Sequence, residues 1–196
     1  MDEIRITAEP KDNSTCRFVV DRPVYDGGSV FFGSRERASG SNLAEKLFAI
    51  EGVGSVLIQD NLVTVTAASG GNWMPLAKQV GATIRTVLAS GEMAVSDAVL
   101  SSIPDAETIK KKVQGILDHE INPAVAAHGG WVELIDVKKN EVFIRMGGGC
   151  VGCGMADVTL KQGVEKSIRQ AIPEVGAILD TTDHASGRNP YYSPAK

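Results

Sequence analysis

The segment Gly147-Gly148-Gly149-Cys150-Val151-Gly152-Cys153-Gly154 constrains this chain more than any other, because it sets two of only three cysteines in a C-x-x-C pair wrapped in five glycines. Glycine removes the side chains that would block close approach to the sulfurs, and it allows positive φ angles that let backbone amides point at them. The segment therefore reads as a soft-metal site presented by bare backbone. A cluster of iron and sulfide held only by thiolates takes four cysteines, and a structural zinc ion takes four protein ligands. One pair is half a site, and the other half has to come from elsewhere.

Composition describes what carries this half-site. With 196 residues, 43% hydrophobic and 22% charged, the chain is long enough for one large domain or for two of roughly 90 to 100 residues. A formal net charge of -4 gives no sign of a nucleic-acid partner. Apolar runs fall far short of the ~20 residues that cross a bilayer, and the acidic start Met1-Asp2-Glu3 lacks a signal-peptide core. A cytoplasmic location is expected, with no membrane association. Three cysteines do not make a disulfide framework, and a C-x-x-C pair in a reducing compartment is more often metal-binding or redox-active.

The pattern divides the chain into two small α+β domains. In the first, residues 3–9 and 16–20 read as strands around the polar turn Lys11-Asp12-Asn13-Ser14. Ser41 and Asn42, with Glu45 in the first turn, open a helix that buries Leu43, Leu47 and Phe48. Residues 53–58 and 62–67 form a hairpin, and Trp73, Leu76, Val80, Ile84 and Val87 recur at helical spacing up to Ser90-Gly91. The first domain is placed at 1–92, a weakly patterned linker at 93–103, and a second domain at 104–196. There Pro104-Asp105 starts a helix with Ile109, Val113, Ile116, Leu117 and Ile121 on one stripe, interrupted at Asn122-Pro123. Strands over 131–137 and 142–146 follow, then the cysteine segment, a helix running to Pro173, and a last strand over 175–179. The expected order of the second domain is helix, strand, strand, helix, strand.

That order puts Cys150 and Cys153 between a strand end and a helix start, where free N–H groups and the helix dipole favour negative charge. A thiol with an ordinary pKa near ~8.5 is lowered in such a place. Asp157, in the first turn, is compatible with a helix start but opposes anionic sulfur.

Ile121-Asn122-Pro123, His128-Gly129-Gly130, the cysteine segment, Thr159-Leu160-Lys161-Gln162-Gly163-Val164-Glu165, Ile172-Pro173-Glu174-Val175 and Thr182-Asp183-His184 through Asn189-Pro190-Tyr191-Tyr192 together resemble the C-terminal domain of the NifU/Nfu family. The first domain is similar to the N-terminal Nfu domain at Leu43 to Phe48, Gly52-Val53, Val63 to Thr66 and Trp73. The resemblance implies an iron-sulfur cluster scaffold or carrier, not an enzyme. In it Cys150 and Cys153 bind a labile 4Fe-4S cluster shared between two subunits of a homodimer and passed to apo iron-sulfur client proteins, with upstream assembly proteins as further partners. Two chains would supply four thiolates around one two-fold axis, which serves a 2Fe-2S cluster equally well, so the four-iron form comes from the resemblance alone. Two positions depart from the family pattern. His128 stands where an Asp is common, and Asp12-Asn13-Ser14-Thr15 lacks the proline of an Asn-Pro-Asn turn.

The main competing reading is a dithiol-disulfide oxidoreductase, since C-x-x-C at a helix start is also the thioredoxin arrangement. The flanking glycines and the lack of a clear βαβ frame count against it; a zinc ion shared by two chains is a further alternative. Cys16, inside a strand, reads as a structural thiol. His128, beside Gly129-Gly130, reads as a turn residue making a local hydrogen bond, and His119 and His184 carry less weight still. Trp73, Trp131 and Phe143 read as core, and Lys110-Lys111-Lys112 as the solvated face of a helix. There is no Ser-His-Asp set, phosphate loop or paired-carboxylate signature.

Overall fold

The computed structural model describes residues 3–69, 73–127, 129–148 and 154–182. They belong to two compact units, Met1–Ile103 and Pro104–Lys196, each mixing helices and strands in the α+β manner expected from the sequence.

In the first unit, β1 (Ile6–Pro10), β2 (Thr15–Val20), β3 (Tyr25–Phe32), β4 (Val53–Asp60) and β5 (Leu62–Ala67) form an antiparallel sheet in the order β1-β2-β5-β4-β3. Strand alternation sends Cys16, Phe18, Val56, Ile58, Val63 and Val65 to one face. There they are buried with Leu43 and Leu47 of α1 (Asn42–Phe48) and Val80 and Ile84 of α2 (Trp73–Ser90). The Asp12 turn manages without proline. Asp12 Oδ1 accepts from Ser14 N at 2.7 Å, Ser14 Oγ at 2.8 Å and Thr15 N at 2.8 Å. Partial burial works against the charge, yet these hydrogen bonds hold the Asp12 carboxyl below the usual carboxylate range.

Two features differ from the sequence reading. Strand β3 has no counterpart among the expected elements, because its pairing with β4 is broken by a register shift between Tyr25 and Ser29 that hides the alternation. The stretch 93–103, expected as a linker, packs into the first unit: Ala94 and Val95 are buried, and residues Asp97–Ser101 form the short helix α3. Val99, Leu100 and Ile103 pack against the same core, and backbone and hydroxyl groups add further ties. Ser41 Oγ donates to Ala94 O at 2.8 Å, Leu43 N–H to the same carbonyl at 3.2 Å, and Ser96 N–H to Gly40 O at 3.1 Å.

In the second unit, Asp105 caps α4 (Ala106–Ile116) by accepting Thr108 N–H at 2.9 Å. A π-helical turn, Leu117–Ile121, then widens the helix before Asn122-Pro123 opens α5 (Asn122–Ala126). The wider turn separates the proline ring from the preceding turn's carbonyls, which is how the apolar stripe passes a residue that breaks a regular helix. Next come β6 (Gly130–Lys138), β7 (Glu141–Gly148), α6 (Gly154–Ala171) and β8 (Ile178–Asp180). Among the described residues the sheet order is β6-β7-β8, with β6 antiparallel and β8 parallel to β7. Val142, Ile144 and Met146 of β7 lie buried with Ile109, Val113, Val164 and Ile168. Near the end of α6, Arg169 Nε donates to Glu165 Oε1 and Nη1 to Val175 O, both at 2.9 Å, tying the helix to the segment that leads into β8. Burial draws the pKa of this arginine down, with Glu165 acting in the opposite direction.

Ser41 is fully buried and serves two groups at once, accepting Ala44 N–H at 3.2 Å as the α1 cap while donating to Ala94. Ser41→Ala leaves both without a partner, so a loss of about 1–3 kcal/mol is expected, read as a lower urea midpoint for the first unit.

Candidate metal centre

Strand β7 delivers the chain to the cysteine segment and α6 takes it away. Cys150 and Cys153 themselves lie outside the described residues, as do His128 and His184; what the structure defines is the pair of rims, Gly148 and Gly154. The α6 helix that starts at Gly154 is 18 residues long, and its first turn has N–H groups with no partner inside the helix and presents the positive end of the helix dipole to whatever precedes it.

The strand rim is built so that only glycine fits. Gly148 has φ +65°, and a Cβ placed on it would lie 2.1 Å from Gly129 O, across the Gly130–Gly148 pairing. Gly147 faces Trp131, and a Cβ there would lie 2.1 Å from the indole Cζ2. The two backbones and the indole thus close around the strand end with no space left for a side chain. Glycine at these two positions is thus required by the packing of the strand end itself.

Trp131 is where the structure corrects the sequence reading. Trp73 and Phe143 are buried as expected, but Trp131 is 42% exposed. It stands on the outer face of β6, with the Arg145 guanidinium 5.7 Å from its ring centre and Glu133 beside it in a hydrogen bond to that arginine. It shares its parity with Glu133, while Val132 points into the core.

Asn122, which the sequence presents only within Ile121-Asn122-Pro123, fixes this edge. Its Nδ2 donates to Val132 O at 2.9 Å and its Oδ1 accepts Val132 N–H at 2.7 Å, so one side chain stands in for a neighbouring strand beside Trp131. The signal for it was its position before Pro123, where a helix start holds a side chain in a fixed direction.

The other candidates are not drawn together. Cys16 is wholly buried in the first unit, its thiol pushed up by burial, and its Sγ is 3.7 Å from Arg17 O. His119 is exposed, with Nδ1 2.8 Å from Gly115 O. Lys110, Lys111 and Lys112 are exposed, as expected of a solvated helix face. Among the described residues no group of three or more His, Cys, Asp and Glu side chains is arranged to hold a metal ion. No helix of the described residues is long and apolar enough to cross a membrane.

Two protein-family models fall on these two units. Residues 4–91 match the N-terminal domain described as "Scaffold protein Nfu/NifU N terminal", and residues 113–179 match the "NifU-like domain". The chain belongs to the NifU/Nfu family, with one domain of each kind. It is 50% identical over 88 residues to the Fe/S biogenesis protein NfuA of Stenotrophomonas maltophilia (strain K279a), a stretch that makes up 44% of each protein. With the Fe/S biogenesis protein NfuA of Pseudomonas aeruginosa (strain LESB58) it shares 43% identity over 97 residues, 49% of this chain and 50% of that one. The match therefore spans about half the length of these curated relatives. A solution structure of a NifU-like protein from Saccharomyces cerevisiae superposes on 48% of this chain and 86% of its own, with TM-score 0.43 and 20% identity.

Gly148→Ala adds a side chain at a positive φ, costing about 1–2 kcal/mol, and forces the Gly129 carbonyl to move as well. The expected outcome is a measurably less stable second unit whose β6–β7 amides exchange faster near residue 130, followed by hydrogen exchange. Unchanged protection there would mean that the strand end adjusts freely.

Proposed function

We propose that this protein carries an iron-sulfur cluster, bound through Cys150 and Cys153 of two copies of the chain and handed to apo iron-sulfur proteins. The observation that supports it most is the strand-to-helix connection around the C-x-x-C, entered through backbone that admits no side chain and left through a helix N-terminus. The membership in the NifU/Nfu family and the relatives named for Fe/S biogenesis support the same reading. The cluster is cargo. Each chain supplies two thiolates, so two chains complete the four that a 4Fe-4S cluster takes, and a 2Fe-2S cluster has the same demand. Incoming client thiolates replace Cys150 and Cys153 one at a time, each forming an iron–sulfur bond as one to this protein breaks. No bond of the client is otherwise altered, so the role is that of a carrier and not of an enzyme. The first unit, whose one cysteine is buried, is the part available for contacts with clients or upstream assembly proteins, in a cytoplasmic setting.

A second reading keeps a specific observation in its favour. The β7–α6–β8 connection is a parallel βαβ crossover, which the sequence reading did not find, and a C-x-x-C at its helix start is the redox arrangement of thioredoxin-like proteins. The discrimination therefore rests on the glycines and the family, not on the topology.

Anaerobic reconstitution with iron and sulfide separates the two. About two irons and two sulfides per chain, in a dimer by solution mass, are expected for a shared four-iron cluster. A colourless monomer whose Cys150 and Cys153 cycle through a disulfide would put the oxidoreductase in its place. Cys150→Ala or Cys153→Ala abolishes stable cluster binding on the carrier reading, whereas Cys16→Ala, in the other unit, leaves cluster content unchanged.

A further inference from the structure

We propose that Thr182 and Asp180 are positioning residues for the cysteine segment, forming a strap that ties the strand entering it to the helix leaving it. Its functional meaning rests on the carrier reading of Cys150 and Cys153; its geometry does not.

Strand β8 ends at Asp180, but the chain continues along the edge of β7 for two more residues. Thr181 donates to Ile144 O twice, from its N–H at 2.7 Å and its hydroxyl at 3.0 Å. Thr182 then changes the kind of contact. Its hydroxyl oxygen accepts Met146 N–H at 2.7 Å and lies 3.4 Å from Met146 O. The last pairing on this edge before Gly147 and Gly148 is thus made by a side chain standing in for a strand. A hydroxyl held by rotamer opens by rotation about one bond, whereas a strand ladder opens only by moving backbone.

Asp180 holds that hydroxyl in place and extends the strap to the helix. Its Oδ1 accepts Thr182 N–H at 2.8 Å, which curls the chain so that the threonine side chain turns toward Met146. Its Oδ2 stands 3.6 Å from Lys161 Nζ, and the carboxylate is only 2% exposed. Lys161 lies on α6, about two turns beyond Gly154. The buried carboxylate thus meets a half-exposed ammonium from α6, which links the end of β8 to that helix. Met146, Thr182, Asp180 and Lys161 therefore form one continuous path between the elements on either side of residues 149–153. Five residues span that gap, and the distance between their ends limits the conformations open to both cysteines. Partners of this outer kind fix the orientation of metal ligands without touching the metal.

The test uses the full chain with Thr182→Val, which keeps the shape and removes the hydroxyl, Thr182→Ser, which restores it, and Asp180→Asn, which removes the charge facing Lys161. Two quantities are read: the pH profile of iodoacetamide alkylation at Cys150 and Cys153 in the metal-free protein, and the rate at which reconstituted protein loses iron to a chelator. Thr182→Val is expected to move the alkylation profile to higher pH and to speed iron loss roughly tenfold, with Thr182→Ser near wild type in both and Asp180→Asn shifted in the same direction as the valine variant. If Thr182→Val fails to fold, Asp180→Asn carries the test by the same two readings. Wild-type profiles and wild-type iron loss in the folded variants overturn the strap. A defect that serine does not repair also overturns it, as a packing effect. Wild-type protein that takes up no iron and sulfide overturns the carrier reading instead, and the alkylation profiles then decide the strap alone.

Discussion

Strand β7 is the constraint on which the second unit depends. It is the middle strand of its sheet, with β6 paired along one edge and β8 along the other, and Val142, Ile144 and Met146 anchor it in the core. A strand held on both edges and one face has a fixed direction and register, so the point at which the chain leaves it is fixed too. That point is Gly148. Three contacts converge on the end of this strand: the Trp131 indole over Gly147, the Gly129 carbonyl against Gly148, and the Thr182 hydroxyl on Met146. Each of these contacts is made by a different part of the chain.

Much of this frame was legible because local rules and tertiary packing agree. Ser41 and Asp105 read as helix starts, and both cap their helices. The stripe through Ile109, Val113 and Leu117 read as core, and it is buried. What could not be read has separate causes. The stretch 93–103 is short and serine-rich, yet it joins the first unit through Ala94, Val95, the Ser41 hydroxyl and the Gly40 carbonyl; β3 hides its alternation behind a register shift. Asn122 pairs with Val132 through a side-chain amide, a polar contact that leaves no hydrophobic period in the sequence. Trp131 is a different failure. Its place on a patterned strand reads as core, while its parity with Glu133 sets it on the polar face. Of the site itself, the cysteine pair and its glycines were visible as a motif, whereas the reason Gly147 and Gly148 have to be glycine appears only once Trp131 and Gly129 are seen against them.

The two units divide the chemistry unequally. Cys16 sits among Phe18, Val63 and Val65 with its thiol pushed up by burial, and a neutral thiol in an apolar core neither binds metal nor exchanges disulfides readily. The cysteines of the second unit are placed in sequence between a strand end and an 18-residue helix, where electrostatics favour the thiolate. The same residue type is therefore shut inside the core of one unit and set between a strand end and a helix start in the other, and on the proposed reading the cluster chemistry belongs to the second unit.

A helix start after a parallel strand does not by itself separate a metal carrier from a thiol redox protein, since both gain from stabilised thiolates. The separation lies in what surrounds the pair. A disulfide forms within one chain and is served by side chains packed over it, which shield one sulfur and expose the other. A cluster completed by a second chain needs open space on the outer side and backbone that lies close on the inner side. Gly147, Gly148, Gly149, Gly152 and Gly154 take side chains away from both flanks of the pair, and at Gly147 and Gly148 the place a side chain would take is filled by Trp131, on the outer face of β6, and by the Gly129 carbonyl. On the proposed reading a second copy brings its own thiolates to the pair, whereas a one-chain disulfide flanked by glycines would be left unshielded.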